Sequence, residues 1–119
     1  MLRGEASYHT SKTALEGFSN ALRHELVGTN IRVLVVRPGY VGGGSRFHYT
    51  RHGEAGTSGD QGDATFDGLE PLLPEDVADA VWEQVSRPER VSLTAVDVVP
   101  TPQRSLYVAD REWNRRNGV

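Results

Sequence analysis

Six residues, Ile31-Arg32-Val33-Leu34-Val35-Val36, constrain the fold of this chain more than any other stretch. They are β-branched and apolar without clean alternation, the pattern of a strand covered on both faces in a parallel sheet. Arg37-Pro38-Gly39 stops the run. Proline removes a ladder donor, and glycine lets the backbone approach a ligand closely. In open α/β sheets, ligands bind beyond the C-terminal ends of the strands, which is where this turn is expected.

A helix leads into that strand, from about Tyr8 to Val27. Leu15, Phe18, Leu22 and Leu26 recur at three- and four-residue steps, with Ala14 and Ala21 widening the stripe. The stripe reads as a core-packing face. Lys12, Glu16, Asn20, Arg23 and His24 occupy the opposite face, and Gly28 suits the C-terminal cap. A second helix is predicted from Pro74, with Glu75 and Asp76 at the positive end of its dipole. Val77, Ala80, Val81 and Val85 form its expected buried face, with Trp82 at the margin. Leu73 is a poor N-cap, and nothing in the sequence accounts for it. Ser86-Arg87-Pro88 ends the helix. A β-rich stretch, Val91 to Val99, follows, with its core at Ala95–Val99 and its stop at Pro100. Strand, helix and strand in this order predict a right-handed parallel crossover, and hence an α/β fold.

Between the first strand and the second helix, residues 42–67 are rich in Gly, Ser, Thr and Asp. A loop this long is a lid, a binding loop or a disordered segment. Gly42-Gly43-Gly44 suits a hinge, but no Gly-x-Gly-x-x-Gly opens a helix after it, so it is not a phosphate-binding fingerprint. His48 and His52 share a metal-ligand spacing. With no third ligand evident, no metal site is expected there. Residues 104–119 are polar, with Leu106, Tyr107 and Trp113 scattered among them, and read as a surface appendage.

Composition narrows the function classes. The 119 residues suffice for one small domain. Net charge is −3, with 13 Lys and Arg against 16 Asp and Glu, so there is no basic excess for a nucleic-acid partner. No apolar run is long enough to span a bilayer, so no membrane partner is expected. The absence of cysteine excludes a disulfide scaffold and thiolate chemistry. It suits a reducing, cytoplasmic setting.

Tyr8 and Lys12 carry the chemistry. Four residues apart on a helix, they project from one face. A free phenol loses its proton near pH ~10, too high for a base at neutral pH. A nearby cation favours the phenolate and moves such a group toward acid–base work. By itself the pattern is common, and an ordinary solvated pair is the stronger reading.

The order of features is more specific: Tyr8-His-Thr-Ser-Lys12, an amphipathic helix, Asn30-Ile-Arg-Val33, then Arg37-Pro-Gly39. It resembles the C-terminal half of a classical short-chain dehydrogenase/reductase, over about residues 3–103. Arg23 to Val33, Ser45-Arg46-Phe47, Gly68 to Asp79 and Val99-Pro100-Thr101 resemble the branch of NADP-dependent 3-hydroxy acid, or serine-type, dehydrogenases. The resemblance implies the C-terminal part of a Rossmann-like, doubly wound parallel sheet, with 42–67 as substrate loop and 104–119 as a polar tail. It implies Tyr8 as the acid–base group and Lys12 as its activator and a ligand of the nicotinamide ribose. Pro38 and Gly39 would line the nicotinamide, and the Val41 backbone would face the carboxamide. The cofactor would be NADP (or NAD), the partner a small-molecule substrate, and the assembly a homo-oligomer through the first helix. Arg46 offers a guanidinium for a substrate carboxylate, although a solvated loop charge is the stronger reading.

Departures from the family pattern also matter. Gly43 stands where a threonine is usual, which puts one cofactor hydrogen bond in doubt. His9 follows the tyrosine where a smaller residue is usual, and reads as structural. The glycine-rich dinucleotide-binding half, with its catalytic serine, is not found among the residues before Tyr8. The expectation is therefore a piece of a longer dehydrogenase, for instance from a start codon assigned too late. Such a piece would be inactive alone and would expose apolar surface and a strand edge. Two other readings remain open. One is a non-catalytic assembly module pairing with a full-length relative. The other, ranked lower, is a sugar-nucleotide epimerase or dehydratase of the extended branch.

Overall fold

The computed structural model describes residues 6–42, 68–105 and 108–119. Helix α1 spans Ala6–Glu25, strand β1 Val35–Pro38, helix α2 Pro74–Val85 and strand β2 Ala95–Val98. Strands β3, Gln103–Ser105, and β4, Val108–Ala109, precede a short helix α3, Trp113–Asn117. The chain divides into two compact units, one of residues 1–37 and 80–96, the other of residues 38–79 and 97–119.

β1 and β2 form a two-stranded sheet. The Val35 N–H donates to the Thr94 carbonyl at 3.1 Å and the Gly39 N–H to the Val98 carbonyl at 2.7 Å. Both partners advance by the same number of residues, so the strands run parallel, joined through α2. The α/β class expected from the sequence holds. The first strand nonetheless starts later than the apolar run predicts and includes Arg37 and Pro38, which were expected to stop it. The Val33 carbonyl accepts from Arg23 Nε at 2.9 Å, and the Val35 carbonyl accepts from Gln84 Nε2 at 3.1 Å. The first of these carbonyls lies before the strand, and ladder pairing begins at the Val35 N–H.

In the first unit, three polar side chains span its elements. Gln84 is 1% exposed, and its Nε2 also donates to the Leu93 carbonyl at 3.0 Å. Arg23 Nη2 donates to the Thr94 carbonyl at 2.8 Å. Arg32 Nη1 donates to the Val91 carbonyl at 2.8 Å and Nη2 to the Val85 carbonyl at 3.4 Å. Arg32 therefore links the last carbonyl of α2, at Val85, to the Val91 carbonyl beyond the helix. α1 closes with Arg23 and His24 in its last turn, where cations complement the dipole. The turn then tightens, with the Thr29 N–H donating to the Leu26 carbonyl at 3.0 Å and Gly28 at φ 88°. Only glycine adopts that left-handed conformation without cost.

The start of α2 resolves the puzzle of Leu73. The Leu73 N–H donates to Asp76 Oδ2 at 2.7 Å. The cap runs backward from the third helical residue, which is half of a capping box.

The expected core faces are corrected in part: Leu22, Leu26, Val77 and Ala80 are half-buried, but their neighbours on the same stripes are not. Leu15 is 58% and Phe18 63% exposed, while Val81 and Val85 are 44% and 46% exposed. Among the described residues the fully buried apolar side chain is Leu69. Helical periodicity identifies an apolar face, but it does not supply the surface that covers it.

The second unit is ordered where the sequence suggests an appendage. β3 and β4 pair antiparallel, Gln103 opposite Ala109. The Asp110 N–H donates to the Pro102 carbonyl at 2.8 Å, and Asp110 Oδ1 accepts the Glu112 N–H at 3.1 Å just before α3. The Asn114 N–H donates to the Gly68 carbonyl at 3.2 Å. Gly68 sits at φ 76°, and a Cβ there would overlap the Arg111 carbonyl.

Candidate active site

α1 presents Tyr8 and Lys12 one turn apart, as the spacing predicts. Lys12 Nζ lies 5.6 Å from the centroid of the Tyr8 ring, within range of a cation–π contact. Tyr8 is half-buried and Lys12 exposed. The His9 ring meets the Tyr8 ring edge-on, with centroids 5.7 Å apart and planes at 78°. Ser11 Oγ donates to the Tyr8 carbonyl at 2.8 Å.

A third residue on the same face is Glu16, one further turn along. Its Oε1 accepts from Arg37 Nη1 at 2.6 Å. The helix bearing Tyr8 and Lys12 is thereby tied to the end of β1. Sequence reasoning places Glu16 on the polar face and assigns Arg37 only to the turn, because pairing across 21 residues has no periodic signature.

Pro38, Gly39 and Val41 belong to the second unit. The Tyr40 N–H donates to Gln103 Oε1 at 2.9 Å, and the Tyr40 carbonyl accepts from the Leu72 N–H at 2.8 Å. Val41 forms an isolated parallel bridge with Leu72, and the Gly42 N–H donates to the Leu72 carbonyl at 2.7 Å. The backbone after Gly39 is thus pinned on both sides. Gly43, Gly44, Arg46, His48 and His52 lie outside the described residues. Among the described residues, no three His, Asp or Glu side chains gather in a way that would hold a metal ion. No helix among them is long and apolar enough to cross a membrane.

Residues 2–52 match the family described as short chain dehydrogenase. The chain is 35% identical over 98 residues to the NADP-dependent 3-hydroxy acid dehydrogenase YdfG of Shigella flexneri, covering 81% of this chain and 37% of that protein. It is 35% identical over 101 residues to the NADP-dependent 3-hydroxy acid dehydrogenase of Schizosaccharomyces pombe, covering 84% and 37%. Among solved structures it is similar to the closed form of a serine dehydrogenase complexed with NADP+, with a TM-score of 0.73 and 30% identity, over 92% of this chain and 42% of that one. The Escherichia coli serine dehydrogenase matches with a TM-score of 0.61 and 27% identity, over 88% and 36%. The chain therefore resembles the short-chain dehydrogenase/reductase family, as its motifs imply. Within the family, the similarity lies on the side of the NADP-dependent 3-hydroxy acid and serine dehydrogenases. It spans 37% of the length of the first curated relatives it matches.

Proposed function

We propose that this chain supplies the acid–base and nicotinamide-facing part of an NADP-dependent (or NAD-dependent) oxidoreductase of the short-chain dehydrogenase type. The substrate class is a small hydroxyl or carbonyl compound, with a 3-hydroxy acid as the first candidate. The observation that carries the reading is the Tyr8–Lys12 pair, on one helical face with the ammonium 5.6 Å from the phenol ring. The cofactor supplies the hydride chemistry when bound. Tyr8 Oη gives or takes the proton of the substrate hydroxyl. Lys12 places a positive charge beside the phenol and offers donors for the nicotinamide ribose. Pro38 and Gly39 line the nicotinamide, and the Val41 backbone meets its carboxamide. The residues fit such a ligand in kind. The pair supplies a phenol and an exposed ammonium on one helical face. Inactivity of this chain alone and a cytoplasmic setting belong to the same proposal, the latter supported by the cysteine-free composition.

NADPH titration of the protein carrying this sequence tests the reading, with bound nicotinamide fluorescence as the signal. Lys12→Met is expected to weaken binding. Equal affinity in both proteins contradicts the role given to Lys12.

A second reading concerns assembly. The exposure of Leu15 and Phe18 on α1 favours association through this helix, with a second copy or a longer relative. Sedimentation of the protein at increasing concentration tests it.

A further inference from the structure

Gln103 is 2% exposed, among the most deeply buried side chains in the described structure. Burying an amide is costly unless both of its ends are paired. Here both are. Oε1 accepts the Tyr40 N–H at 2.9 Å, and Nε2 donates to the Ser105 carbonyl at 3.1 Å. The Gln103 N–H itself donates to the Pro100 carbonyl at 2.8 Å, which fixes where the side chain starts. The acceptor therefore reaches the backbone immediately after Gly39, while the Gly39 N–H is held by the Val98 carbonyl.

Position 39 is fitted to this contact. A Cβ added there would overlap Gln103 Oε1 and come within 3.1 Å of Gln103 Cδ and Pro100 Cδ. The side chain missing at residue 39 makes the space that the Gln103 amide fills. The peptide at Tyr40 is then tethered from both ends, its N–H by Gln103 and its carbonyl by the Leu72 N–H.

We propose that Gln103 is a positioning residue, holding the Pro38-Gly39-Tyr40 backbone in the shape that receives the nicotinamide end of the cofactor. The inference rests on the reading of this turn given under Proposed function. Volume alone does not do this work. A methionine would fill the same space but could neither accept the Tyr40 N–H nor donate to Ser105.

The test compares NADPH binding by the protein carrying this sequence, unmodified and with Gln103→Met, read from the fluorescence of the bound nicotinamide. The dissociation constant is expected to rise about tenfold, because the turn must then be ordered on binding. Gly39→Ala is expected to give a similar defect. Combining the two should add little, because both act on one contact. In the unmodified protein, the side-chain amide resonances of Gln103 are expected to shift as NADPH is added. That measurement decides the matter if Gln103→Met does not fold. Unchanged affinity in a folded Gln103→Met, or static Gln103 resonances while NADPH binds, overturns the proposal alone. Failure of the unmodified protein to bind NADPH overturns the functional reading and this inference with it.

Discussion

Arg37 Nη1 lies 2.6 Å from Glu16 Oε1, joining the end of β1 to the helix face that also bears Tyr8 and Lys12. The two side chains are 44% and 47% exposed, so solvent screens the pair. A double-mutant cycle with Glu16→Gln and Arg37→Met, read by thermal unfolding, is expected to give a coupling of about 0.5 kcal/mol that fades as salt is added. A coupling insensitive to salt would mean that the contact is not governed by charge.

Gln84 should matter far more to stability. Its Nε2 serves two carbonyls, those of Val35 and Leu93, and the side chain is 1% exposed. Gln84→Met keeps the volume and strands both acceptors. The expected loss is about 1–3 kcal/mol in urea unfolding. A loss below a few tenths would show that water replaces the amide.

Asp76 is expected to stabilise α2 through the Leu73 N–H. Asp76→Ala should cost about 1 kcal/mol, the usual scale for a lost N-terminal cap. The same unfolding measurement checks it.

Leu15 and Phe18 invite the opposite expectation. Both are more than half exposed, so Leu15→Ser with Phe18→Ser should change the unfolding free energy of the isolated chain by no more than about 0.5 kcal/mol. The double variant should also weaken any self-association seen in sedimentation. A large loss of stability in dilute, monomeric protein would show that these side chains are covered after all.

Local chemistry was legible in the sequence where one element carries the whole signal. Tyr8 and Lys12 share a helix turn, Pro74 marks the start of α2, and Gly28 takes a left-handed conformation in the turn just after α1. Features that join distant positions left no such trace. Periodicity in α1 and α2 identified apolar faces, but Leu15, Phe18, Val81 and Val85 are exposed because no described element covers them. The apolar run from Ile31 predicted a strand from its first residue. Pairing begins only at Val35, whose N–H meets the Thr94 carbonyl, while the Val33 carbonyl before it goes to Arg23. Gln103 stood at the edge of a polar tail, and a lone glutamine has no spacing to betray a buried role. The Leu73 cap was opaque because its acceptor lies downstream, at Asp76. Arg46, Gly43 and the histidines at 48 and 52 lie outside the described residues, so the substrate loop remains an expectation from sequence.

The most direct test of the central claim removes a single oxygen. Tyr8→Phe, in the protein carrying this sequence, should bind NADPH with unchanged affinity and lose turnover of a 3-hydroxy acid by roughly 10²–10⁴-fold, the usual contribution of a positioned acid–base group. Turnover by Tyr8→Phe equal to that of the unmodified protein would contradict the account.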